Sequence, residues 1–109
     1  MRVALAALFI GLPAAALAED DVKTARTWKA KCASCHGADG KGQTEQAKKM
    51  GGIRDMSTAE WQKDWTDEKV KKAIVDGVKE GKKEMEAYKD KLKPDQVDAL
   101  VKFVRTFKK

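Results

Sequence analysis

The sequence predicts an all-α protein, with about four helices joined by short connections in one domain. Three observations point there. Apolar residues recur at helical spacing in the first, middle and last thirds of residues 19–109. No run alternates with period two over a useful strand length. Glycines gather between the first two helical stretches, at 37, 40, 42, 51 and 52, where they punctuate a loop.

Taken in chain order, Asp20 to Lys31 forms the first helix, with Val22, Ala25, Trp28 and Cys32 on one face. Gly37 to Gly52 is loop, within which Gln43 to Met50 can make a helical turn or two. Ser57-Thr58-Ala59-Glu60 has the pattern of a capping box, with Ser57 as N-cap and Glu60 at N3. It opens a short helix that carries Trp61. Thr66 caps the next helix, with Asp67 and Glu68 in its first turn. Val70, Ala73, Ile74 and Val78 give that helix its apolar side. Pro94 stands at N1 of a last helix, followed by Asp95. Its buried stripe is Val97, Leu100, Val101 and Val104, with Phe103 and Phe107.

Residues 1–18 read as a cleavable signal peptide. Arg2 is the positive n-region and Val3 to Leu12 a short apolar h-region. Pro13 breaks the run, and Ala16-Leu17-Ala18 is an A-x-A cleavage site. The run is too short for a membrane anchor. Residues 19–109 then form the functional domain, exported to the periplasm, with no stable membrane insertion after cleavage.

The chain has 109 residues, a formal net charge of +6, 37% charged residues and 6% aromatic. One domain fits that length and two do not. Two cysteines exclude a disulfide-dense scaffold. The basic balance invites nucleic acid, but the cations are 19 Lys and only four Arg. Base reading leans on Arg forks, so nucleic acid is not expected. A small domain with so few aromatics has a marginal core of its own. That deficit points to a bound apolar cofactor.

The strongest signal is Cys32-Ala33-Ser34-Cys35-His36. Both cysteines and the only histidine fall within five residues. C-x-x-C-H is the attachment pattern of a c-type haem. Two thiols about a helical turn apart reach two vinyl groups on one porphyrin edge, and the next side chain projects onto the iron. Three rivals use the same residues. A structural zinc site needs four ligands, and Cys and His supply three here. A thioredoxin-like redox pair expects a strand before the motif, where this chain has a helix. The third rival is a plain disulfide.

CASCHGADGKG, with Trp28 four residues before Cys32, resembles the class I monohaem c-type cytochromes of bacteria. The resemblance runs through EMEAYKDKL, which looks like that family's methionine loop, to the final LVKFVRTF helix. It implies a small cytochrome c fold: about four helices around one covalently attached haem c, the first and last helices crossing. Trp28, Leu100 and Phe103 match the crossing. His36 and Met85 match the axial ligands; Met50 and Met56 are the other methionines after residue 18. Ile53, Met56, Ile74, Tyr88, Leu92 and Val101 are haem-wall candidates, and Trp61 a donor to a haem propionate. The chain departs from the family at Glu86, where a proline usually follows the ligand, and at Thr24, where the crossing often has glycine. No proline precedes Pro94 after the leader, so the His36 Nδ1–H acceptor is expected to be a backbone carbonyl between Gly42 and Arg54.

The resemblance implies an electron carrier and not an enzyme, with iron cycling between Fe(II) and Fe(III), working as a monomer. Lys41, Lys48, Lys49, Lys82, Lys83, Lys89 and Lys91 would steer it to redox partners with an acidic docking surface. Glu80, Glu84, Glu86 and Asp90 lie among them. A haem sensor with a labile sixth ligand is the alternative, and a haem-free thiol oxidoreductase a third reading.

Overall fold

The computed structural model describes residues 19–109; the expected signal peptide, 1–18, lies outside the described residues. The chain is mostly helical. Its elements are α1 (Glu19–Lys31), α2 (Ala33–His36), α3 (Glu45–Lys49), α4 (Ala59–Asp64), α5 (Asp67–Asp76), β1 (Val78–Glu80), β2 (Lys83–Met85) and α6 (Pro94–Arg105). Among the described residues, no helix is long and apolar enough to cross a membrane.

α1 packs on α6, the last helix, as expected of a first–last pair. Trp28, 5% exposed, is its anchor, with ring centroids 5.6 Å from Phe103 and 5.0 Å from Phe107. Leu100 is fully buried in the same cluster. Ala25 does not join that face and is exposed. Trp28 is the α1 residue that enters the buried core cluster.

Helix starts follow side-chain chemistry. Thr44 caps α3, accepting from the Ala47 N–H at 3.1 Å. Thr66 caps α5 as expected, accepting from the Lys69 N–H at 3.3 Å. The expected Ser57 cap is corrected by one residue. Thr58 caps α4, accepting from the Trp61 N–H at 3.2 Å, because Ser57 is engaged elsewhere. Its hydroxyl and its N–H both donate to Asp55 Oδ1, at 2.6 and 2.8 Å. Pro94 does open α6, where Gln96 reaches back to accept from the Lys93 N–H at 2.8 Å.

The sequence reading contains no strand, and here the structure differs. α5 stops at Asp76, so Val78 belongs to β1 and not to the helix. β1 and β2 form an antiparallel hairpin with Val78 opposite Met85, Lys79 opposite Glu84 and Glu80 opposite Lys83. Gly81 opens its two-residue turn at φ +60°, and Lys82 has negative φ, the pattern of a type II′ turn. Two opposite-charge cross-strand pairs add to it. Met85, Tyr88 and Leu92 share helical spacing in the sequence, yet no helix holds them.

The core is one apolar cluster. Trp28, Met56, Trp61, Val70, Ile74, Tyr88, Leu92, Val97, Leu100, Val101 and Val104 are all buried in it. Cys32, Met85, Phe103 and Phe107 pack against its edge.

Candidate functional site

The five-residue motif is helical. The Cys32 N–H donates to Trp28 O at 2.8 Å, the His36 N–H to Cys32 O at 2.9 Å, and the Gly37 N–H to Ala33 O at 2.8 Å. Positions 32, 35 and 36 therefore stand at i, i+3 and i+4, on one helical face. The α1 register carries through a turn at Cys32 into α2, so the approach of the motif follows from how Trp28 seats α1 on α6.

The loop after the motif is tied to the motif's own backbone. Gly42 N–H donates to His36 O at 2.8 Å, and Thr44 Oγ1 donates to Cys35 O at 2.7 Å. Gly42 has φ +69°, and a Cβ there would lie 2.9 Å from Ile53 O. The loop thus folds back directly over the segment from Gly52 to Asp55. The Thr44 tie was not legible in the sequence. A Thr before Glu45 signals a helix cap, but nothing local marks its bond to Cys35.

His36 is half-buried, and that burial holds its imidazole below the usual histidine range. It is neutral at pH 7, as a metal ligand must be. Its ring lies 5.7 Å from that of Trp28. Its Nδ1 is buried without a hydrogen-bond partner. The expected carbonyl acceptor from Gly42 to Arg54 is not in place among the described residues; the Ile53 carbonyl lies against Gly42 instead.

Cys32 and Cys35 are half-buried free thiols, with no disulfide between them. Burial pushes the Cys32 thiol up to about 11, against a smaller opposing pull from Lys31. A thiol–disulfide catalyst needs a depressed thiol pKa, so this environment opposes the redox-enzyme reading. Among the described residues no group of three or more His, Cys, Asp or Glu could hold a metal ion, which leaves the zinc reading without a fourth ligand.

Met85 ends β2, half-buried against the core cluster. It lines a cleft of about 650 Å³ with Met50, Asp76, Gly77, Val78, Lys79, Glu84, Glu86 and Ala87. Tyr88, three residues on, is buried, and its hydroxyl donates to Lys31 O at 3.1 Å. That bond ties the chain after Met85 to the end of α1, one residue before Cys32. Burial raises the Tyr88 phenol, with smaller contributions from Cys32 and Cys35, so it stays a neutral donor.

Met56 and Tyr88 lie in the core cluster with Ile74, Leu92 and Val101. Ile53 is half-buried beside Gly42 and outside that cluster. Trp61 is buried, stacked on Trp65 at 5.9 Å and 9° between planes, with the Arg105 guanidinium 5.9 Å from its centroid. Of the seven lysines, Lys41 is half-buried and the rest exposed; Lys48 pairs with Glu45 and Lys91 with Glu86.

The residues present fit a covalent haem. Two unpaired thiols and a neutral imidazole share one helical face. A thioether sits on the same apolar cluster as Cys32.

Comparison with known proteins agrees. The family model described as cytochrome C oxidase, cbb3-type, subunit III, matches residues 19–104. The chain is 36% identical over 93 residues to cytochrome c6 of Nostoc sp. strain PCC 7120, covering 82% of this chain and 72% of that protein. Among solved structures it resembles the KustC0563 c-type cytochrome, with a TM-score of 0.70 and 36% identity, over 79% of this chain and 98% of that one. A tyrosine-to-phenylalanine mutant of the same protein matches with a TM-score of 0.66 and 36% identity, over 82% and 99%.

The chain therefore belongs to the monohaem class I c-type cytochromes. It carries one covalently bound haem c and is an electron carrier that works with redox partners.

Proposed function

We propose that Cys32 and Cys35 hold the haem through thioethers, and that His36 and Met85 are its axial ligands in a periplasmic carrier. The observation that supports this most is the shared helical face of positions 32, 35 and 36, with Met85 on the same core cluster as Cys32. Each thiol would add across one vinyl group, its sulfur forming the C–S bond and its proton ending on the neighbouring carbon, so that no oxidant is consumed.

The bound haem supplies one-electron cycling between Fe(III) and Fe(II). The chain's own residues set its terms. Half-buried His36 offers a neutral nitrogen at pH 7. Met85 offers a soft thioether, which favours the ferrous state and raises the potential. Met56 and Tyr88 exclude water from the apolar side, and Ile53 closes the loop side beside Gly42. The Trp61 indole N–H has no protein acceptor among the described residues, which suits a donor to a propionate.

Residues 1–18 serve as the export signal, and the domain works as a monomer in the periplasm. The exposed lysines at 49, 82, 83 and 89 steer it to an acidic partner in a salt-sensitive encounter.

Carbon monoxide tests the ligand set. The reduced native protein should bind it slowly and incompletely at neutral pH, and Met85→Ala should bind it at once, with a lowered potential. Rapid, complete binding by the native protein would favour the haem sensor with a labile sixth ligand. An unchanged spectrum and potential in Met85→Ala would remove Met85 from the site.

A further inference from the structure

Gly77 is the C-cap of α5, with φ +75° and its N–H donating to Ala73 O at 2.9 Å. With ψ at 179°, the residue lies in a backbone region that essentially only glycine enters. The surroundings add a second and stronger demand. A Cβ built on Gly77 would lie 2.6 Å from Met85 O, 2.9 Å from Ala87 N and 3.2 Å from the Glu86 carbonyl carbon. All three are backbone atoms, so no side chain can swing away to make room. The Met85–Ala87 backbone lies directly on the Cα of Gly77.

The contact belongs to a longer seam. Val78 pairs with Met85 across the hairpin. Beyond it, Tyr88 N–H donates to Ile74 O at 2.9 Å and Lys89 N–H to Val75 O at 3.2 Å. Residues 85–89 are thus docked, backbone on backbone, along residues 74–78. Position 86 is Glu, exposed and ion-paired with Lys91, so no proline ring stiffens the chain after Met85. The seam supplies the stiffness instead, and it closes only if residue 77 has no side chain.

We propose that Gly77 is the positioning residue for the Met85 thioether. By leaving room for the backbone of residues 85–87, it sets how far the sulfur reaches over the cleft. This rests on the reading of Met85 as an axial ligand.

Gly81 is a built-in control. It too has positive φ, +60°, but a Cβ there meets nothing within 4 Å. Alanine at either position carries backbone strain; only at 77 does it also push the methionine segment. Comparison of Gly77→Ala, Gly81→Ala and Met85→Ala holoproteins separates the cases. The readouts are the thioether-to-iron charge-transfer absorption of the ferric form, the potential, and the carbon monoxide binding rate of the ferrous form. Gly77→Ala should lose most of that absorption, shift its potential in the direction of Met85→Ala, and bind carbon monoxide roughly tenfold faster, a normal loss when a supporting group is removed. Gly81→Ala should keep all three near native. If Gly77→Ala does not accumulate, Gly77→Asn carries the same intruding Cβ on a side chain that can bond its own backbone. Native absorption and potential in the position-77 variant, beside their loss in Met85→Ala, would overturn the positioning role and leave the ligand reading standing. No change in Met85→Ala would overturn both.

Discussion

The indole N–H of Trp28 donates to the carbonyl oxygen of Gly37 at 2.9 Å, reaching across nine positions of the chain. The same ring lies 5.7 Å from His36 and 5.0 Å from Phe107. One side chain therefore fixes the end of the Cys32–His36 helix and seats α1 on α6. Trp28→Phe keeps an aromatic ring but leaves the Gly37 carbonyl without its donor. The holoprotein should lose about 1–3 kcal/mol of unfolding free energy, read from denaturant midpoints. A loss much below that would mean that Gly37 finds another donor.

Tyr88 makes a second long tie, from the methionine segment to Lys31 O. Tyr88→Phe preserves the ring in the core and removes one hydrogen bond. It should cost about 1 kcal/mol and leave the visible spectrum of the holoprotein unchanged. A spectral change would mean that the hydroxyl also bears on the iron site.

How much of this was legible follows from range. Cys32, Cys35 and His36 lie within about one helical turn, so their shared face follows from spacing alone. The Pro94 start of α6 and the Thr66 cap of α5 are equally local. The β1–β2 hairpin was missed because three-residue strands made mostly of Lys and Glu carry no apolar alternation. Its sign was the charge pattern around Gly81, which pairs Lys79 with Glu84 and Glu80 with Lys83. The cap of α4 moved from Ser57 to Thr58 because Asp55 captures Ser57, a competition between neighbours that a capping pattern does not weigh. Gly77 has no local mark at all; its requirement comes from Met85–Ala87.

Arg105 is invisible to sequence reasoning for the same reason. Its guanidinium gathers groups 38 to 43 residues away: Asp67 Oδ1 at 2.7 and 3.0 Å, Trp65 O at 2.6 Å, Gln62 O at 3.0 Å and Gln62 Oε1 at 3.2 Å. Gln62 in turn donates to Met56 O at 2.7 Å and Val104 O at 2.9 Å. The node clamps α4, the start of α5 and the end of α6 beneath Trp61. The Asp67 carboxylate is 74% exposed, so the ion pair itself contributes little; the carbonyl contacts carry the clamp. Arg105→Ala should cost roughly 1–3 kcal/mol. Arg105→Lys should recover only part of it, because a single ammonium cannot span the fork. Asp67→Asn should be nearly neutral in the same denaturation assay.

Asp55 gives a pH dependence. Its carboxyl is held below the usual aspartate range, first by the Ser57 hydroxyl and then by the Ser57 N–H, with Lys109 and Lys41 adding to the pull. The folded state thus favours the charged form. The resulting stability is present above the ordinary aspartate value, and is lost as pH falls through the lowered folded value. Asp55→Asn removes that titration. The native protein should exceed the variant by a constant margin at neutral pH, and the margin should shrink below about pH 4. A margin that stays constant into acid would show that Asp55 does not titrate differently in the folded chain.

Acid–acetone extraction distinguishes covalent attachment through Cys32 and Cys35 from a haem held by its ligands alone. The purified holoprotein is precipitated in acid acetone, and the pigment in the two fractions is measured alongside the mass of the denatured chain. Colour should stay with the precipitate, the chain mass should exceed the polypeptide by one haem, and Cys32→Ala/Cys35→Ala should release all pigment to the solvent. Haem extracted from the native protein, or a bare polypeptide mass, would contradict covalent attachment.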